Sequence, residues 1–219
     1  MKFSLFAVLL VTAGVYTLPQ NEIETRDDRF IIITGIRNAI EKFRQDIREA
    51  GLDPLHIIEA SFEYILPGLV EFEAYLYEFD FSGVSNIVTN RLSHNVLLRR
   101  INLDLSVPEV GMNIRESGFD FNVLGTKHTG RFNGGIKINQ IRLTAQVNYS
   151  IINTGITGIS LNFSLGGIES DVRLIVFGYD FTEHLNTFLG VTIPQAIREH
   201  QSIINKFLED LIMELIKNQ

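Results

Sequence analysis

Between Ile101 and Phe177 bulky apolar residues alternate with polar ones in run after run, and an amphipathic helical pattern then closes the chain. Ile101, Leu103, Leu105 and Val107 alternate with Asn102, Asp104 and Ser106. Ile141, Leu143, Ala145, Val147 and Tyr149 alternate with Arg142, Thr144, Gln146 and Asn148, and Ile159, Leu161, Phe163 and Leu165 with Ser160, Asn162 and Ser164. A period of two means a sheet with one oily face and one wet face, and the oily face has to be covered. From Pro194 to Lys217, the residues Ile197, His200, Ile204, Phe207, Leu208, Leu211 and Leu215 recur at helical spacing and offer that cover. The fold class that follows is α+β: a single curved, highly twisted antiparallel β-sheet wrapped around a long amphipathic C-terminal helix, with an N-terminal helix.

That first helix is read from Ile32, Ile36, Ile40, Phe43, Ile47 and Ala50, with Gly51 as its stop and Asp53-Pro54 preventing continuation. From Pro67 the pattern turns extended. In Glu71 to Phe81 the residues Tyr75, Tyr77, Phe79 and Phe81 share one phase. Ser85 to Leu98 fits a strand with its turn first and a short helix second, Ile101 to Val107 reads as a strand ended by Pro108, and Met112 to Leu124 as another. Gly125 to Gly135 reads as a hairpin tip. Apolar residues then move from even positions (Ile136, Ile138) to odd ones (Ile141, Leu143), which fits one extra residue, a β-bulge, near Asn139-Gln140. Val172, Leu174 and Val176 close the sheet, Asp180 or Thr182 caps a short helix, and Thr192 with Pro194 starts the last one.

Lys2 followed by the apolar stretch Phe3 to Val11 reads as a signal peptide over residues 1–17, removed on export. The stretch falls short of the ~20 residues needed to span a bilayer. Residues 18–28 are polar and aperiodic, a flexible entry, and 29–219 form a single domain, secreted and extracellular. No cysteine is present, so core packing replaces disulfides and thiol chemistry is excluded. A net charge of −7 without a basic cluster argues against nucleic acid and against electrostatic docking on anionic membranes. Two sequons, Asn148-Tyr149-Ser150 and Asn162-Phe163-Ser164, place glycosylation at Asn148 and Asn162 on the wet face.

Catalytic constellations are missing from the pattern. The histidines His56, His94, His128, His184 and His200 are not paired at metal-ligand spacing, and His56 and His184 sit beside apparent helix starts. No nucleophile elbow occurs, and the glycine pairs Gly134-Gly135 and Gly166-Gly167 lie in strand connections. The reading is therefore no enzyme, no metal, no cofactor and no stable membrane anchor. Arg99-Arg100 abuts the Ile101 strand and reads as a surface pair.

Gly51-Leu52-Asp53-Pro54-Leu55, Gly83-Val84-Ser85-Asn86-Ile87-Val88, Ile101 through Pro108 and Gly178-Tyr179-Asp180 together resemble the arthropod branch of the tubular lipid-binding (TULIP) superfamily. The likeness is greatest to insect relatives of the group-7 mite allergens, and extends more distantly to juvenile-hormone-binding and takeout-like carriers. Those carriers usually hold an N-terminal disulfide that this chain lacks, which favours the allergen-like branch. The resemblance implies a super-roll: a curved sheet around helices, with a hydrophobic groove between them.

Residues and resemblance converge on a secreted, non-catalytic carrier or sensor for a small hydrophobic ligand of the lipid, fatty acid or isoprenoid class. Candidate lining residues are Leu103, Leu105, Phe119, Phe121, Leu143, Val147, Leu161, Phe163, Ile197, Ile204 and Leu208. An alternative is an innate-immunity interaction protein that meets microbial lipid or a protein receptor through exposed apolar surface, with Tyr75, Tyr77, Phe79 and Phe81 as its motive.

Overall fold

A computed structural model describes residues 26–150 and 155–217. The signal segment and most of the entry segment lie outside them. Helix α1 (Arg26–Glu49) already begins at Arg26, inside the stretch read as entry. Eight strands follow: β1 (Leu55–Leu66), β2 (Val70–Ser82), β3 (Val88–Asn95), β4 (Arg100–Val123), β5 (Thr126–Ser150), β6 (Gly155–Ser164), β7 (Gly167–Val176) and β8 (Tyr179–Asp180). Helix α2 (Thr182–Thr187), a π-helical turn (Phe188–Thr192), α3 (Ile193–Glu199) and α4 (Gln201–Lys217) complete the chain.

All strands form one antiparallel sheet built on the two long central strands β4 and β5. In its first half, β3 and β6 flank Arg100–Val107 of β4 and the facing end of β5. In the second half, β1, β2, β7 and β8 flank the remainder. Pro108 does not end a strand, as the sequence had suggested. Val107 pairs with Ile141 and Glu109 with Asn139, leaving Pro108 and Gln140 as the unpaired position between them. A proline that cannot donate to a ladder is tolerated at such an irregularity.

The sheet is creased twice. At the first crease Gln140 has φ 51, and the apolar phase switches in both strands at once, since Val107, Val110, Ile138 and Ile141 all pack into one core. The phase change expected near Gln140 is present, but register is kept, so no extra residue produces it. The second crease passes through Ile58 and Glu78 (φ 47), where Arg115 Nη1 meets Glu78 Oε1 at 2.7 Å, and ends at Gly134 (φ 115). At Glu78 the phase switches again, and this splits the aromatics of β2. Tyr75 and Tyr77 meet with tilted rings 5.4 Å apart on the wet face, while Phe81 packs into the core. The β4–β5 hairpin turn is also tighter than Gly125 to Gly135. Its turn is Leu124-Gly125, both at positive φ, as a two-residue hairpin requires.

Helix α1 covers the first half. Ile32, Ile36 and Ile40 are buried against Ile87, Ile101, Leu105, Val107, Val110 and Tyr149, each contributing roughly 1.5–3 kcal/mol. Gly51 (φ 66) ends the helix, with Leu52 N–H donating to Ile47 O. Beyond it the buried Asp53 carboxylate accepts the Gly83 N–H at 2.8 Å and the Ser85 N–H at 2.5 Å. Arg44 and Arg48 donate to the Ser85 carbonyl and hydroxyl. Two of the short motifs that carry the family likeness are thus two sides of one latch.

The closing helix does not run unbroken from Pro194. It breaks at His200, and α4 lies along the β6 edge, where Leu208, Ile212 and Ile216 join Ala145, Leu161, Leu103 and Leu143 in a second core. Its polar side chains replace a neighbouring strand. Asn205 Oδ1 accepts the Phe163 N–H, Glu209 Oε1 accepts the Leu161 N–H, and Gln201 Nε2 donates to the Phe163 carbonyl. On β7, Asn186 accepts from Val172 N–H and donates to its carbonyl, and Thr182 Oγ1 accepts the Leu174 N–H. An edge satisfied in this way cannot recruit another chain.

Candidate functional site

The two cores fill the first half of the oily face and its border with the second, at Phe81, Val110 and Ile138. In the second half a chain of rings crosses the sheet: Phe62 lies 6.2 Å from Phe72, and Phe72 lies 6.2 Å from Phe119 and 6.1 Å from Phe121. His128 sits 6.5 Å from Phe121 and 5.0 Å from Phe177, whose ring also meets Phe119 edge-on at 6.3 Å. Phe62 is 61% and Phe177 55% exposed, and the rings between them are only half-buried. The result is an open aromatic trough. Gly130 faces Phe119 across the β4–β5 pair, and a Cβ there would lie 2.2 Å from the ring, so the missing side chain lets the ring lie down on the sheet.

Of the eleven candidate lining residues, Leu105 and Leu161 are buried core, and Leu103, Leu143, Val147 and Leu208 pack against the two cores. Phe163, Ile197 and Ile204 are half-buried around the β6–α4 region. Phe119 and Phe121 alone among the eleven belong to the trough. Sequence reading missed Phe62, Phe72 and Phe177. Strand β1 was passed over, although Ala60, Phe62, Tyr64 and Leu66 alternate with Ser61, Glu63 and Ile65.

The wet face holds a concavity of about 650 Å³ above Gly111 and Gly135, walled by Asp80, Glu109, Asn113, Lys137, Glu169 and Asp171. A smaller one of about 270 Å³ borders Asn102, Asp104, Gln146 and Asn162. There Arg142 holds Asp104 through Nε at 2.9 Å and Nη2 at 2.5 Å, which keeps that carboxyl below its ordinary value. Among the described residues no group of His, Cys, Asp and Glu is placed to hold a metal ion.

The histidines divide by surroundings. His56 is on β1, not at a helix start, with Nδ1 2.7 Å from Asp80 Oδ1. His94 is buried, its Nε2 2.5 Å from the Tyr149 hydroxyl. His200 is exposed at the helix break. Tyr75, Tyr77, Phe79 and Phe81 form no exposed patch: all four are half-buried, the Tyr75 hydroxyl donates to Glu116, and Arg131 lies over the Tyr75 ring at 5.5 Å. Exposed apolar side chains occur on β1 instead, at Ile58, Phe62, Tyr64, Ile65 and Leu66.

No curated protein matches the sequence. Among solved structures the chain is similar to Takeout 1 of Epiphyas postvittana, with 16% identity over 85% of this chain and 89% of that one and a TM-score of 0.43. A second similarity is to lipopolysaccharide binding protein, with 14% identity over 83% of this chain and 36% of that one and a TM-score of 0.25. The family model described as haemolymph juvenile hormone binding protein (JHBP) matches residues 4–219, a span that takes in the Asp53 latch, both cores and the trough. The chain belongs to the JHBP family.

Proposed function

We propose that this chain is a secreted, non-catalytic carrier of a small hydrophobic ligand, and that the aromatic trough is where the ligand lies. One observation carries the reading: an apolar sheet face whose rings stay half-exposed in a chain of the JHBP family. Side chains of a finished core would be packed away from water. A ligand of the lipid, fatty acid or isoprenoid class supplies the missing cover. Covering about fifteen methylene groups at ~0.8 kcal/mol each yields roughly 12 kcal/mol gross, and ordering and association costs leave about 8 kcal/mol, near micromolar affinity.

Native mass spectrometry of delipidated protein with C12–C18 fatty acids and an isoprenoid alcohol tests the reading. A stoichiometric adduct is expected for at least one of them, and no adduct with any would end it. Replacing Phe72 and Phe119 together by Ser is expected to weaken the adduct tenfold or more, because both rings leave the trough while the two cores stay intact. Equal binding by that variant would move the ligand elsewhere.

Export also places the sequons in an oxidising, glycosylating compartment. Asn162 is exposed on the β6 edge, with its Oδ1 accepting from Gln201 and Asn205 and its Nδ2 left for a sugar. Asn148 is half-buried and accepts from Arg100. On secretion from insect cells, Asn162→Gln is expected to remove one glycan mass, and Asn148→Gln to remove less or none. The reverse order would show that edge exposure does not set occupancy.

A further inference from the structure

At the end of the sheet remote from the helix-covered half, two hairpin turns stand level. Leu66 pairs with Val70, Val70 with Val123, and Val123 with Thr126, so Pro67–Leu69 and Leu124-Gly125 lie side by side. The Leu124 N–H donates to the Leu69 carbonyl at 3.1 Å and ties them together. Ile65, Leu66, Leu69 and Leu124 all face water, Leu124 at 72% exposure.

Turn geometry does not ask for these residues. Water-facing turns are built from Gly, Asn, Asp and Ser, and Leu124 sits at φ 51, a conformation that disfavours a branched side chain. A leucine held there at a cost, with its side chain in water, needs something outside the fold. Charge is absent too. From Tyr64 to Val70 and from Phe121 to Thr126 no residue is charged, in a chain that is 21% charged overall. The first charges behind the turns are Glu71 and Lys127, about 7 Å back at the rise of an extended strand.

We infer that these two turns dock the protein on the surface of a zwitterionic lipid bilayer, with Leu66, Leu69 and Leu124 entering the boundary between headgroups and acyl chains. The occupant follows from depth and charge. An uncharged apex about 7 Å deep matches the 5–10 Å over which interfacial segments bury, and Glu71 and Lys127 then stay among the headgroups. A protein partner would ask for a polar rim and hydrogen bonds close to the apex, and Asn122 there turns its Nδ2 to Glu71 while its Oδ1 is buried, so neither end of the amide is presented outward. Net charge of −7 gives anionic lipid no attraction. Docking goes beyond the carrier reading and does not require it, although the trough opens just behind the turns at Phe121 and His128.

The chain has no tryptophan, so a single one reports its own surroundings. Leu124→Trp is compared with Leu97→Trp, which lies in the β3–β4 turn at the opposite end of β4 and is 95% exposed. With cargo-free protein and phosphatidylcholine vesicles containing brominated lipid, the Leu124→Trp emission is expected to shift to the blue and be quenched, and the Leu97→Trp emission to stay unchanged. Without a tryptophan, Leu69→Asp/Leu124→Asp is expected to lower vesicle partitioning at least tenfold, and phosphatidylserine is expected to leave wild-type partitioning equal or weaker. An unmoved Leu124→Trp emission, equal quenching at both ends, wild-type partitioning of the double aspartate variant, or binding that rises with phosphatidylserine would each overturn the inference. Cargo binding is measured without vesicles, so each reading fails separately.

Discussion

Replacing Asp53 by Ala is expected to cost about 3 kcal/mol of stability, from two charge-assisted hydrogen bonds at ~1.5–3 kcal/mol each less the relief of a buried charge. For a domain of this size that lowers Tm by about 6–12 °C. The N–H groups of Gly83 and Ser85 would lose their acceptor inside the fold, and Arg48 its nearby anion. Asp53→Asn recovers little, because its amide turns an NH₂ toward one of the two donors. Thermal unfolding of both variants checks this, and a shift under 2 °C for Asp53→Ala would mean the latch is ornamental.

The same carboxylate sets a pH dependence. Burial pushes Asp53 up, and the N–H groups of Ser85 and Gly83, the Ser85 hydroxyl and the Arg48 charge outweigh it, leaving the group below the ordinary carboxylate value. A depressed folded value means that the unfolded chain takes up the proton first as pH falls. The contribution of Asp53 is thus fully present above about pH 4 and drains away as pH drops through the folded value. Acid unfolding of Asp53→Ala is expected to show a shallower slope in that window than the wild type.

Gly134→Ala is expected to cost about 3–4 kcal/mol, a Tm loss of roughly 10 °C. At φ 115 an alanine is strained, which costs ~1–3 kcal/mol, and its Cβ would lie 2.1 Å from the Asp171 carbonyl oxygen and 2.9 Å from Val172 Cα. Both neighbours are backbone, so relief requires β5 and β7 to part at the second crease. Gly125→Ala is the control. Its φ is also positive, at 85, with nothing within 4 Å, so it carries conformational strain alone, about 1 kcal/mol. Similar losses in the two variants would show that close strand approach is not what Gly134 provides.

Legibility of the fold followed the range of each signal. The α1 stripe was readable because Ile32, Ile36 and Ile40 lie within three turns of one another and all reach the core. Gly51 was readable as a stop because a left-handed residue at a helix end is almost always glycine. The phase change at Gln140 was readable from Ile136, Ile138, Ile141 and Leu143, but its cause was not, and Glu78 was not readable at all, because nothing in a glutamate or a glutamine announces positive φ. Each resets the alternation, so Tyr75 and Tyr77 part company with Phe79 and Phe81. Of the site, Phe119 and Phe121 could be named from their phase. Phe72 and Phe177, which meet Phe119, come from β2 and from the β7–β8 turn, far away in the chain, and Phe62 of β1 joins them through Phe72.

Alternation and helical spacing, both local, determined that this chain forms one antiparallel sheet with an oily face and amphipathic helices at its two ends. Which part of that face receives a helix was decided only in three dimensions. Sheet register and the two creases bring Ile101, Leu105 and Val110 beneath α1, and α4 is held at the β6 edge by Gln201, Asn205 and Glu209. Phe72, Phe119 and Phe121 are left beyond the reach of both helices. A residue's period tells which side of a strand it occupies, but only the packing of distant segments tells whether that side is covered or open.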